Sequence, residues 1–577
     1  MLNCARIVTT VRYARHFRPP SRPVLVSALG SRMHSRPISV VPFTSGEKFE
    51  LFNFTAGRWL YNESEQNAAR HVEFDVEALQ ALACQALGAT ACLKFKKVFE
   101  LEEQRIFLLK GNNGKDAFIR IPFSFAGPPK LSTASEVATM EFMRDVLGVP
   151  APRVLGWSAD ATRNSIGAEY IIVERVPGTT FPARWPTLSA EQLDIFLSDL
   201  LDIETAFERA PFSQIGSLFF AEDVDPELQS RPLFSDQGEH RLDARLLAAA
   251  DKYRVGPLVN EEWWWKGRVN IEADRGPWPD ATSYYLAAAG LELAWLKHSD
   301  FTDTTQPLLP LYHRLIDSYT QTIPKLMSMF TGNSSAPTIC HPFISLSSIV
   351  FPLEGDLHIN GLINWRNTII GPYFAQASFP KGLIHPPAMV PEVPLEMEKP
   401  ELELPADIGP YSIEEQQMMH IESRALYVHQ AYQYMIAKTN KRRAYIQSLP
   451  GTWRLDMLPP MMLRCSTDGF YDLLDALVSI WDDWDRIEAL TEEPCPIGFS
   501  SDEITFLSEA SMRNKIYRRN LEQLRLEVGE CGAYGFVIDD SYDETKKRCA
   551  LLAEQWDEEE KCGPFPYQDG MFPPFLS

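Results

Sequence analysis

"HPFISLSSIVFPLEGDLHINGLINWRN" (residues 341–367) reads as a loop followed by two short β-like runs, "SSIVFP" and "HINGLINW", joined by the turn "LEGDL". The stretch interrupts a region that is otherwise helical in pattern. Its chemistry is sparse: residues 341–349 offer one histidine and several hydroxyls but no carboxylate. The first acids, Glu354 and Asp356, stand in the turn.

Upstream, residues 185–330 carry helical periodicity, clearest in "LDIFLSDLLDIETAF" (193–207) and "YYLAAAGLELAWLKH" (284–298). Before them the character changes. "CLKFKKVFELEEQRIFLLKGNNGKDAFIRIPF" (92–123) alternates as strands do, and Gly111 to Gly114 suit a hairpin turn. "TASEVATMEFMRDVLG" (133–148) reads as a helix, with Thr133 and Glu136 at capping-box spacing and Gly148 as its stop. "AEYIIVERVPG" (168–178) reads as a buried strand that leaves through Pro-Gly, a short hinge near 174–178. Downstream, residues 377–410 form a proline-rich loop or linker, and 413–448 and 503–560 return to charged helices.

No run reaches the roughly 18 apolar residues that a membrane-spanning helix needs. The net charge of −22 argues against a general nucleic-acid binder. The first 46 residues break this acidity with seven arginines, no lysine and no acid before Glu47, the composition of a mitochondrial transit peptide. The nine cysteines form no C-x-x-C or zinc-like spacing. The expected organisation is a leader at 1–46, a small β-rich lobe at 47–175, a helical lobe at 176–450 and an acidic helical extension at 451–577.

A β-rich lobe with one helix, a hinge, and a helical lobe with a late hairpin is the order of an α+β, two-lobed, protein-kinase-like fold. At the level of phrases the chain resembles the aminoglycoside phosphotransferase family, and within it the fungal "altered inheritance of mitochondria" branch. The phrases are "FIRIPF", "GPPKLSTASEVATMEFMR", "VPAPRVLGWS", "GAEYIIVERVPG", "FSQIGSLFF", "ADRGPW" and "INGLINW". The resemblance implies an H-P-D-x-H-x-x-N loop, whose Asp accepts the substrate's proton and whose Asn, with a later Asp, holds Mg²⁺. Laid over that motif, His341 and Pro342 keep their places. Phe343 stands at the base position, Ser345 at the second His, Ser348 at the metal Asn and Asn364 at the metal Asp. Every matched position that should do acid–base or metal work is replaced, so the resemblance implies a disabled catalytic site.

On the nucleotide side, the resemblance pairs a small-lobe strand cation with a helix glutamate, here Arg120 and Glu136, and places the hinge at Glu174 against an adenine. It admits ATP as a ligand and leaves Mg²⁺ doubtful. Alternative acid–base groups are Asp356 and His358 in the hairpin turn. "GNNGK" (111–115) lacks the G-x-x-x-x-G-K-[ST] pattern and reads as a hairpin turn or a weak phosphate loop. The cluster Trp263 to Trp265, Arg268, Arg275 and Trp278 either pins a loop or lines a pocket. Three functions stay open: a mitochondrial pseudokinase with a binding or scaffold role toward an unidentified protein or small molecule, an ATP-dependent phosphotransferase acting on a small hydroxylated molecule, and a purely structural mitochondrial protein.

Overall fold

Five strands build the small lobe: β1 (Cys92–Glu100), β2 (Gln104–Gly111), β3 (Asp116–Pro122), β4 (Val154–Ser158) and β5 (Tyr170–Glu174). They pair in the order β1-β2-β3-β5-β4, every neighbour antiparallel. This computed structural model describes residues 38–235, 242–265, 267–299, 306–380, 382–385, 398–406, 408–467, 470–498, 500–529 and 531–570. Residues 1–37, and so most of the arginine-rich leader, lie outside the described residues. Residues 38–46 contact the small lobe. Ser39 bridges to Ala91, and the Val41 backbone exchanges hydrogen bonds with the Gln80 amide. Residues from Ile38 onward thus pack with the small lobe.

One face of the sheet is dry because its alternate residues are apolar. Phe95, Phe107, Leu109, Ile119 and Ile172 meet helix α1 (Val76–Leu87) in one core cluster. Asp75 caps α1 by accepting from the Ala78 N–H, and Gly88 ends it in the left-handed region. The other face receives helix α2 (Leu131–Glu141), whose last turns relax into a π-helix (Phe142–Leu147) before Gly148 stops the chain at φ +76°.

The capping box expected at Thr133 and Glu136 is not formed. Helix α2 begins two residues earlier, at Leu131 after Lys130, with no side-chain cap. The Thr133 hydroxyl instead donates to Glu169 Oε2 at 2.7 Å, and Glu169 Oε1 accepts from the Lys130 N–H at 3.0 Å. A carboxylate from outside the helix does the capping, which frees Glu136 to face the sheet.

The large lobe is built on α3 (Ala190–Phe207), α4 (Ala281–His298), α5 (Leu309–Met327) and α6 (Ile413–Thr439). The late hairpin is present but short, Ile349–Val350 against Gly361–Leu362. Helices after residue 450 share a core with α4 and α5, through Leu455, Leu458, Met462, Leu473 and Leu477. The tryptophan cluster is part of that packing. Trp263 lies against Trp278 and Tyr284, Arg275 stacks on Trp264 at 4.3 Å, and buried Arg268 pairs with buried Glu292. "GNNGK" is a plain hairpin turn at the end of the sheet away from residues 101–103. Its Asn112 and Asn113 side chains tie it to Thr90, Ala91 and Leu87.

The lobes are joined by a linker fixed to the hairpin. Thr179 and Phe351 exchange both backbone hydrogen bonds, and the Asn360 amide donates to Pro177 O at 3.0 Å. Gly178 sits between them at φ +132°, and a Cβ there would come within 2.2 Å of Phe351 O. Only glycine fits both the backbone angle and the approach. Gly178→Ala should lower folding stability by about 2 kcal/mol or more, through left-handed strain and displacement of the Phe351 carbonyl. Urea unfolding of wild type and variant checks this, and an unchanged midpoint would refute the account.

Candidate functional site

Strand β3 and helix α2 bring Arg120 and Glu136 together, both buried. The Arg120 Nη1 to Glu136 Oε1 distance is 2.5 Å, and Arg120 Nε donates to Gln104 Oε1 at 2.8 Å. The planar fork explains how one arginine takes both partners. Its other terminal nitrogen, Nη2, is buried with no hydrogen-bond acceptor among the described residues.

Glu136 has a second cation, and sequence reading passed over it. Arg366, two residues beyond Asn364, extends from the large lobe into the small one. Its Nη1 lies 3.9 Å from Glu136 Oε2 and its Nε 3.2 Å from Glu103 Oε2, and its Nη2 donates to Ala126 O. Only 8% of Arg366 is exposed. Glu103 sits in the turn between β1 and β2, where "ELEEQ" places acids and no glycine. Glu261 arrives from the loop that precedes the tryptophans and shares a hydrogen bond with Glu103. Burial first, then the neighbouring Glu103 and Glu262 carboxylates, push Glu261 up to about 9 against the pull of Arg366. Burial also raises Glu169 above the usual carboxylate range, opposed by Thr133, Lys130 and Arg366. The space between the lobes at this end therefore holds alternating charges supplied by the chain itself.

The loop 341–348 is tied to the hairpin rather than open. His341 is buried beside Trp365, with the rings 4.8 Å apart and nearly perpendicular. Its Nδ1 accepts from the Phe343 N–H at 3.2 Å, so the proton resides on Nε2, which donates to Ile363 O at 2.7 Å. Desolvation lowers His341 to about 4 despite these bonds, which holds the ring neutral. Ser348 Oγ accepts from the Ser345 N–H at 2.9 Å, and its proton is shared between Phe343 O and Ser345 O. Ser345 Oγ pairs with Ser347 Oγ, and Gly382 lies directly against Ser345. Phe343 is 53% exposed, and exposed Asn364 occupies the left-handed region at φ +69°.

Glu174 closes the end of β5. Its N–H donates to Arg153 O at 2.9 Å and its Oε1 accepts from the Arg153 N–H at 3.0 Å. The adenine contact expected at Glu174 therefore lacks that N–H. Of the alternative acids, Asp356 is exposed in the turn, and His358 pairs at the surface with Asp199 at 3.0 Å. Neither reaches the loop 341–348 through a hydrogen bond given by the structure.

The residues present do not fit a divalent metal at the positions that the resemblance assigns. Ser348 is saturated by its own loop, Asn364 brings no charge, and the nearby carboxylates Glu103 and Glu136 are already paired with Arg366. Phe343 has no proton-accepting group.

Residues 97–373 match the profile of the phosphotransferase enzyme family. Over those residues the chain is similar to that family. It is 28% identical over 485 residues to a subtelomeric hrmA-associated cluster protein of Aspergillus fumigatus, covering 76% of this chain and 87% of that protein. It is 24% identical over 485 residues to altered inheritance of mitochondria protein 9, mitochondrial, of Yarrowia lipolytica, covering 78% and 79%. Among solved structures, aminoglycoside phosphotransferase APH(4)-Ia is similar at 13% identity and a TM-score of 0.33, over 73% of this chain and all of that one. This phosphotransferase-like chain is thus related to the fungal proteins of altered mitochondrial inheritance.

His341 gives the loop a pH dependence of defined sign. An unfolded chain takes up its proton near 6.5, whereas the folded chain refuses it until about 4. Its contribution is complete above pH 6.5 and is lost as pH falls toward 4, by about 3 kcal/mol at most. The destabilisation caused by His341→Gln should shrink between pH 7 and pH 4.5 in urea unfolding. A difference constant over that window would contradict the neutral, buried ring.

Proposed function

We propose that this protein is a pseudokinase: a phosphotransferase fold that does not transfer phosphate and serves as a binding or scaffold module in mitochondria. The observation that carries the reading is the Arg366 guanidinium, bridging the segment 363–368 to Glu136 and Glu103. A nucleotide's phosphates would have to separate these ion pairs and approach Glu103 and Glu136. Two like charges 4 Å apart cost about 4 kcal/mol at an effective dielectric constant of 20. The missing base and metal carboxylates compound this, since a general base alone is worth roughly 10² to 10⁴ in rate.

Mitochondrial placement is supported by the arginine-rich first 37 residues and by the names of the yeast relatives. The family supports ATP as the nucleotide to test, without support for Mg²⁺. A partner is not identified by charge, although the acidic surface favours basic ones.

The expected result is that millimolar ATP raises the thermal unfolding midpoint no further with Mg²⁺ than with EDTA. A ligand specific for the native state adds about 2.7 kcal/mol at a hundredfold excess over its Kd, so a working metal site would be visible. A shift that requires Mg²⁺ would overturn the reading and favour an ATP-dependent enzyme.

A further inference from the structure

We propose that the C-terminal segment 536–570 is a strap that ties the small lobe to the large one from outside and thereby holds the cleft closed. The inference concerns lobe mechanics and stands apart from whether the cleft has lost its chemistry. Helix α7 (Ser501–Val528) carries the chain from one lobe to the other. Its 28 residues span about 42 Å.

The first half of α7 belongs to the large lobe. Glu503 pairs with Arg314 of α5 at 3.1 Å, Ser511 donates to Asp475 at 2.7 Å, and Arg518 reaches Asp472 at 2.6 Å. The second half ends over the lead-in to the small lobe, where Leu524 and Val528 pack with Leu60, Cys549 and Phe565.

Beyond α7 the chain pairs with that lead-in. Phe536–Val537 lies antiparallel to Arg58–Trp59, and the Leu60 N–H donates to Gly535 O at 2.9 Å. The Tyr542 hydroxyl donates to Trp59 O. At the far end, Asp569 Oδ1 accepts from the Asn62 N–H at 2.6 Å, and the Gly570 N–H donates back to Asn62 Oδ1 at 2.8 Å. This last exchange joins residues separated by more than five hundred positions, so it forms only when both ends are in place.

The strap is continuous with the cleft. The Arg70 guanidinium lies 4.7 Å from the Trp59 ring centre and 5.1 Å from that of Phe125. Its backbone carbonyl accepts from Arg105 of β2 at 3.1 Å. Phe125 precedes Ala126, whose carbonyl receives Arg366. Phe536, the strap's first ring in this series, lies 5.7 Å from the Trp59 ring at a tilt of 60°. Releasing Phe536 removes support from Trp59, then Arg70, then the 123–127 loop that Arg366 grips. The strap and the Arg366 contacts are two clasps on one closed state, and loosening one lowers the free energy for opening the other.

The test is amide hydrogen exchange on the full chain, comparing wild type with Phe536→Ala and Asp569→Ala. We expect residues 123–131 and 363–368 to exchange about tenfold faster in Phe536→Ala, and in the same direction in Asp569→Ala, while 281–298 in α4 is unchanged. Faster exchange confined to the strap and to 54–62 would overturn the proposal. Should Phe536→Ala fail to fold, Asp569→Ala removes a surface contact and reads the same contrast. Mg²⁺-dependent nucleotide binding would sink the functional reading without altering this exchange pattern, so the two failures are distinguishable.

Discussion

A guanidinium does not give up its proton in a protein, so Arg366, once enclosed between the lobes, has to be met there by anions. That constraint organises the cleft. Glu136 must turn inward from α2, Glu103 must bend back from the β1–β2 turn, and the Ala126 carbonyl must complete the shell. Withdrawing any of these would leave a buried charge with incomplete partners, which typically costs several kcal/mol. The small lobe is therefore fixed over the large one by a side chain that no bound ligand supplies. Arg120, held between Gln104 and Glu136, extends the same charge alternation into the sheet.

The rest of the lobe junction conforms to that closed arrangement. The linker has no slack, because Thr179 pairs with Phe351 and Gly178 packs on the same carbonyl. His341 ties the loop to Ile363, and the loop's serines satisfy one another instead of facing outward. Polar groups that sequence alone leaves available for a ligand prove to be internal braces. Buried polar atoms seek partners wherever chain geometry offers them, and a loop rich in serine can supply its own.

The order of strands, hinge, helices and hairpin was legible because period-two and period-3.6 patterns are local. Arg120 and Glu136 were legible as a pair through the resemblance, although Glu136 was read as a capping residue too. That reading failed because Glu169, 36 residues from Thr133, competes for the Thr133 hydroxyl, and no local pattern announces a partner at that distance. Arg366 lies two residues beyond Asn364, outside the motif, so the motif does not point to it. Glu103 and Glu261 carry no local sequence signal for their place in the cleft. Their role depends on a loop from the large lobe meeting a turn of the small one. The strap had no signal at all, since a two-residue strand carries no periodicity and its partner is more than four hundred residues away.

The losses at 343, 348 and 364 and the presence of Arg366 form one electrostatic arrangement. A metal site gathers carboxylates and relies on a cation from solution to neutralise them. Here the assigned positions carry a phenyl ring, a hydroxyl and an amide, so a cation from solution finds little charge to hold it. The remaining anions, Glu103 and Glu136, already have a cation attached to the same chain. An attached group acts at an effective concentration in the millimolar range or above and does not diffuse away. Arg366 is thus held by carboxylates of its own chain, and opening the cleft would leave buried charges with incomplete partners.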